Sequence, residues 1–253
     1  AFTMLIAVVL ARALEPEEYG KYAFIVSLIT VLAVPFGPSM TQLVLRETAK
    51  LDLSNDKGSL KYLGKWANRN ALMGTLLTVF VVFLIVSLVD FEEDSSLKTL
   101  VIIGSCALPF LAMSGVRIGM LTGLKHVVLA QLPELLIRPL VLFLLIIFFF
   151  WINELTTKIS VYSFILAAII GFLVGYCLLK MNLPANVPEK FDKKRDTRAL
   201  YKSLFPFILI ALCGTLNSQI GIILLGWLST FEQVSAMQIA ERCSIVVALS
   251  LTI

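Results

Sequence analysis

Long apolar runs, separated by short polar clusters, cover roughly residues 2–14, 20–45, 68–89, 97–120, 129–151, 159–179, 203–228 and 234–253. A helix needs about 20 mostly apolar residues to cross a bilayer, so six of these runs read as complete spans and the first and last as truncated ones. Strands of a membrane barrel would alternate polar and apolar residues over about ten positions. The run Leu140-Val141-Leu142-Phe143-Leu144-Leu145-Ile146-Ile147-Phe148-Phe149-Phe150 does not alternate. The pattern predicts an all-α polytopic membrane protein with about eight transmembrane helices.

Composition agrees. Of 253 residues, 58% are hydrophobic and only 15% charged, and the mean hydropathy is +0.92. A soluble domain carries roughly 45–50% apolar and about 25% charged residues. Residues Ala1 to Leu10 lack the basic start and small-residue cleavage site of a signal peptide. They read as the second half of a membrane helix. Cys106, Cys177, Cys213 and Cys243 are scattered through apolar segments without a CxxC pair, so they read as packing residues and not as a disulfide or metal framework.

Charge changes the picture by giving it a direction. Segment 46–69 holds six basic residues against three acidic, segment 180–202 holds seven against three, and the 117–125 junction adds Arg117 and Lys125. The intervening junctions carry only Arg12, Lys21, Lys98 and Lys158, together with the acidic runs Glu15-Pro16-Glu17-Glu18 and Asp90-Phe91-Glu92-Glu93-Asp94. Fifteen basic residues against four, in step with the helix count, put the N-terminus in the cytoplasm by the positive-inside rule. The basic loops read as topology signals or as contacts to anionic lipid headgroups. Short loops tied to membrane helices do not suit nucleic acid.

The stretch 181–202 is the longest polar one, and its charge with Pro184 and Pro188 suits an extended linker. It divides the chain into a six-helix bundle over 1–180, a cytoplasmic basic linker over 181–202, and the start of a second bundle over 203–253. The turns Glu17-Glu18-Tyr19-Gly20-Lys21-Tyr22-Ala23 and Glu232-Gln233-Val234-Ser235-Ala236-Met237-Gln238 are faintly alike. Two tandem six-helix units in one orientation are what parallel repeats would produce.

Ionisable groups in hydrocarbon cost at least a few kcal/mol, so they turn toward a bundle interior or cavity. In the fifth span Gln131, Glu134 and Arg138 lie at i, i+3 and i+7, flanked by Pro133 and Pro139. Glu134 and Arg138, four apart, can pair. They form either an ion pair that fixes packing or part of a cavity wall that meets a phosphate. The eighth span carries Gln238, Glu241 and Arg242. The seventh carries Asn217, Ser218 and Gln219 beside Gly214 and Gly221, where interhelical hydrogen bonds are the plainer reading. Pro35, Gly37 and Pro38 predict a kinked or broken second span. Arg46 and Arg117 sit at span ends, and His126 lies in an interfacial loop. No HExxH, P-loop, G-x-S-x-G or DDxxD pattern is present, so no enzyme, cofactor or metal site is expected.

The segment Leu10-Ala11-Arg12-Ala13-Leu14-Glu15-Pro16-Glu17-Glu18-Tyr19-Gly20-Lys21-Tyr22-Ala23 resembles the first hairpin of polysaccharide-exporting flippases of the multidrug/oligosaccharidyl-lipid/polysaccharide exporter superfamily. Leu43-Val44-Leu45-Arg46-Glu47-Thr48-Ala49 is similar to the end of that family's second helix. Residues Gly123 to Leu140 are similar to its fourth-to-fifth helix region. The resemblance runs along the whole chain and matches about the first seven and a half of the family's usual twelve to fourteen helices. It implies a bacterial inner-membrane protein of O-antigen or lipopolysaccharide assembly. Such a protein moves undecaprenyl-pyrophosphate-linked sugar units by alternating access around a cationic cavity, coupled to H+ or Na+. On that reading Arg138, Arg242, Arg117 and Arg46 are candidates for the pyrophosphate. Gln42, Asn217, Gln219 and Gln238 are candidates for sugar hydroxyls, and Glu134 or Glu241 for a coupling proton. The partners are then the lipid-linked oligosaccharide, membrane lipids and the coupling ion. A cation-coupled multidrug antiporter of the same superfamily and a non-transporting membrane scaffold subunit are the alternatives.

Overall fold

The structure, a computed structural model, describes residues 2–54, 56–88, 95–182 and 197–251, and all regular structure among them is helical. The first span is α1 (Phe2–Ala13). The second is split into α2 (Pro16–Leu32) and α3 (Pro38–Leu53), and α4 (Lys57–Leu88) is unbroken. Next come α5 (Ser95–Ser105) with α6 (Leu108–Gly123), and α7 (Val127–Leu132), a π-helical turn (Pro133–Ile137) and α8 (Arg138–Trp151). The chain ends in α9 (Thr157–Asn182), α10 (Thr197–Leu228) and α11 (Phe231–Leu251). Five stretches among the described residues are long and apolar enough to cross a membrane: Lys57–Leu88, Ser96–Gly123, Val127–Trp151, Thr157–Asn182 and Arg198–Leu228.

Helix ends run past the hydrophobic runs. The basic segment 46–69 is two helix ends joined by a short turn, because α3 reaches Leu53 and α4 begins at Lys57. Likewise α9 continues to Asn182 and α10 starts at Thr197, so only 183–196 of the expected linker remains, outside the described residues along with the acidic run 90–94. Hydropathy marks the thickness of hydrocarbon, whereas a helix stops only where its backbone bonding stops.

The broken second span re-satisfies its own backbone. Pro35 and Pro38 cannot donate, and the freed carbonyls find nearby partners: Val31 O accepts from Val34 N at 3.1 Å, and Val34 O accepts from Ser39 Oγ at 2.7 Å. Beyond this turn α3 packs along α6 through Gly115, Gly119 and Gly123, a small residue every fourth position. A Cβ on Gly119 would lie 2.6 Å from the Thr41 carbonyl oxygen.

Contacts between helix ends agree with an up-and-down path. Lys125 Nζ stands 4.0 Å from Asp52 at one end, while at the other Thr157 Oγ1 donates to the Glu18 carbonyl at 3.2 Å. At the first end α10 is pinned by Tyr201, which bonds Asn70 and stacks edge-on against Trp66 at 5.3 Å. At the second end the two similar turns noted in the sequence touch each other. A Cβ on Gly20 would sit 1.8 Å from the Phe231 carbonyl oxygen, and the Phe24 and Phe231 rings meet edge-on at 6.0 Å. The four cysteines are unpaired and exposed, not packed inside as their apolar neighbourhoods suggest, because their spans present those faces outward.

Glu47 lies in α3 beyond the apolar stretch, with a side chain only 9% exposed. Its Oε1 accepts from Arg46 Nε at 3.1 Å and from Lys50 Nζ at 3.0 Å. Burial pushes the carboxyl up, but these two cations together outweigh it and hold it below its ordinary 4.5. A depressed folded value stabilises the protein above about pH 4.5, and that contribution is lost as pH falls through the folded value. Glu47→Gln should lower the unfolding midpoint in detergent at neutral pH and weaken its acid dependence. Gly119→Val forces a side chain against backbone that cannot yield, and should cost on the order of 1–3 kcal/mol in the same assay.

Candidate functional site

Pro133 and Pro139 carry no N–H, so an α-helical fifth span would leave the Leu129 and Leu135 carbonyls without their usual donors. The chain widens instead, and Arg138 N bonds Pro133 O across a π turn. A π turn holds one extra residue, which rotates the helix before it by about 100° relative to the helix after it. The expected single face is therefore divided. Gln131 is exposed on the outside, while Glu134 and Arg138 point inward.

These two side chains enter a cavity of about 340 Å³, within the roughly 300–1,000 Å³ range of ligand pockets. Its walls come from α1, α2, the π turn with α8, α9, α10 and α11. Arg138 Nη1 and the Glu134 carboxylate form an ion pair, and the guanidinium lies 5.0 Å from the Phe164 ring centre. Across the cavity α11 supplies Gln238 and Arg242, and α10 supplies Gln219. The Gln238 Oε1 atom is buried without a hydrogen-bond partner among the described residues. Arg138 and Arg242 each lie eleven residues into their spans from Val127 and Phe231, about 16 Å along a helix. That is mid-membrane depth, where two cations facing one carboxylate leave the cavity net positive.

The α2 wall is one that sequence reasoning did not assign. Tyr19, Tyr22, Ser27 and Thr30 line the cavity, giving a hydroxyl-bearing stripe on a helix that carries no charge after Lys21. Their spacing of three to five residues along one run was the available signal. It was masked because Tyr19 and Tyr22 are also part of the hairpin pattern.

Several sequence candidates stand elsewhere. Arg46 is held by Glu47 at the same end as Lys125 and Asp52 and stacks 5.5 Å from Phe207. Gln42 is exposed, because the turn at 33–37 separates α3 from the cavity-lining face of α2. Asn217 is exposed, two residues and therefore roughly 200° around α10 from Gln219. Glu241 is half-buried but not in the cavity wall. Arg117 is 3% exposed, with its guanidinium carbon 3.6 Å from the Phe172 ring centre and 5.4 Å from that of Tyr176. It adjoins a separate small void. Among the described residues no group of three or more His, Cys, Asp or Glu side chains could hold a metal.

Removing Arg138 alone leaves a partly buried carboxylate without its cation, whereas removing both charges does not. Arg138→Met should therefore lower the unfolding midpoint more than Arg138→Met with Glu134→Leu, and a double-mutant cycle on the thermal melts checks it.

The fold matches that of a multidrug resistance MATE family transporter of the MOP superfamily, solved in an inward-facing conformation. The TM-score is 0.76 at 14% identity, over 97% of this chain and 58% of that one. This chain thus spans a little over half the length of that transporter. No curated protein sequence matches. A family model described as polysaccharide biosynthesis protein matches residues 1–252, and the chain accordingly belongs to that family.

Proposed function

We propose that this chain belongs to an exporter of the bacterial inner membrane that moves pyrophosphate-linked oligosaccharide units, on their polyprenyl carrier, outward by alternating access. The observation that carries the reading is the mid-membrane cavity in which Arg138 and Arg242 face a single carboxylate, among the amides of Gln219 and Gln238 and the Tyr19 and Tyr22 hydroxyls. A pyrophosphate cannot enter hydrocarbon without its charge being met. Guanidinium groups meet it with paired, directional hydrogen bonds. Amides and hydroxyls suit sugar hydroxyls. The lipid tail stays in the bilayer.

On this reading the first six spans form one bundle, and α10 with α11 opens the second, joined by the basic segment 181–202. The positive-inside asymmetry puts the N-terminus in the cytoplasm. The close contact of Gly20 with Phe231 then lies at the periplasmic end. The fold it shares with a multidrug transporter favours a second reading, export of cationic amphiphiles. Glu134 argues against it, because that carboxylate is already committed to Arg138.

Arg138→Ala in the full-length protein should leave lipid-linked repeat units accumulated in the cytoplasmic leaflet and lower surface polysaccharide about tenfold or more. That is the scale of losing one charge-assisted hydrogen-bonded contact. Leaflet-resolved lipid extraction together with polysaccharide staining checks it, and normal polysaccharide with no accumulated intermediate would remove Arg138 from transport.

A further inference from the structure

Arg117 is the least accounted-for charge in the described fold. It is 3% exposed, and its Nε and Nη1 atoms are buried with no hydrogen-bond partner among the described residues. Its flat face rests on Phe172, which answers the charge of the guanidinium but not its in-plane N–H groups. A buried donor left unpaired is costly, and a stacked arginine of this kind is poised to accept a carboxylate at its edge.

One carboxylate is within the same local wall. Arg117 and Glu134 both line a void of about 10 Å³, room for about one water. Glu134 also lines the main cavity, where it pairs with Arg138. The partition between the two spaces is thin because α9 carries glycine on that side. A Cβ on Gly171 would lie 3.4 Å from Arg138 Cβ, and one on Gly175 would lie 3.7 Å from both Arg117 Cδ and Pro133 Cγ. Glu134 therefore shares a wall with each of two arginines, paired with Arg138 and lining one small void with the unsatisfied Arg117. It rides on a π turn, whose spare residue lets the backbone adjust locally.

We infer that Glu134 exchanges partners: it holds Arg138 while the cavity is empty and turns to Arg117 when an anion takes Arg138. This rests on the cavity being an anion site. Without a second cation, an anion arriving at Arg138 would leave Glu134 ionised and unpaired beside it, and that repulsion would oppose binding. Arg117 removes the penalty by supplying a waiting partner. It thereby makes Arg138 available without leaving either arginine exposed to an empty membrane interior. Arg117 is thus a positioning residue, acting on the ligand only through Glu134.

The test is equilibrium binding of radiolabelled inorganic pyrophosphate to the full-length protein in nanodiscs, comparing wild type, Glu134→Gln, Arg117→Met and the double variant. Exchange predicts that Glu134→Gln tightens binding at least about threefold, by removing the competitor. Arg117→Met should weaken binding at least about threefold when Glu134 is present and leave it unchanged in the Glu134→Gln background. Arg117→Lys, which keeps a cation, should retain most of the wild-type affinity. An Arg117→Met effect of equal size in both backgrounds would overturn the inference, since loss of the Phe172 stack does not depend on Glu134. Equal losses in Arg117→Lys and Arg117→Met would overturn it too. If Arg117→Met does not fold, Glu134→Gln decides alone: unchanged or weaker binding contradicts exchange. Arg138→Gln separates the two claims. If it leaves pyrophosphate affinity unchanged, or if wild type binds none, the anion cavity itself fails. If Arg138 matters but Arg117 and Glu134 act independently, only the exchange fails.

Discussion

A helix in hydrocarbon has no water to replace a missing backbone donor, and Pro133 and Pro139 withhold two donors six residues apart in the fifth span. Between them the chain widens into a π turn closed by Arg138 N on Pro133 O, and the cavity depends on the result. It sends Gln131 outward and brings Glu134 and Arg138 inward at mid-membrane depth, where their charges must be met by each other or by a ligand. The same constraint recurs in the second span. There the prolines at 35 and 38 break the helix, and the loose carbonyls of Val31 and Val34 are taken up by Val34 N and the Ser39 hydroxyl. In both places the departure from regular helix changes which face looks into the bundle.

Around that point the helices are held by contacts suited to a solvent that gives no hydrophobic drive between them. Glycines let backbones approach, as at Gly119 on α6 and Gly20 on α2. Cations meet neighbouring carboxylates or aromatic faces: Arg46 meets Glu47 and Phe207, Arg138 meets Glu134 and Phe164, and Arg117 rests on Phe172 with its Nε and Nη1 groups unpaired among the described residues. The closed contact between the α2 and α11 starts and the cavity inside it belong to one arrangement. The cavity walls come from both sides of the 183–196 segment.

Much of this was legible in the sequence for physical reasons. Twenty-residue apolar runs have one main explanation, so hydropathy alone pointed to the all-helical membrane fold. Prolines in such runs announced the irregular turns at 33–37 and 133–137. What the sequence concealed was rotation. A strict 3.6-residue count puts Gln131, Glu134 and Arg138 together, and a single extra residue in the π turn undoes that for Gln131. The break at Gly37 does the same for Gln42. Conversely, Gln219, Gln238 and Arg242 lie more than 75 residues from Arg138, and no local pattern says that they share its cavity. Helix lengths were also hidden, since Lys57 and Arg198 are polar yet continue helices past the membrane face.

The central claim is that the cavity between these helices takes the charged headgroup of a lipid-linked saccharide. Photocross-linking tests it most directly, with p-benzoylphenylalanine placed in the full-length protein in cells that make radiolabelled lipid-linked repeat units. Probes at Tyr22 and Gln219, in the cavity wall, should capture the labelled intermediate, while a probe at Phe80, exposed on the outer face of α4, should not. Equal capture at Phe80, or none at Tyr22 and Gln219, would contradict it.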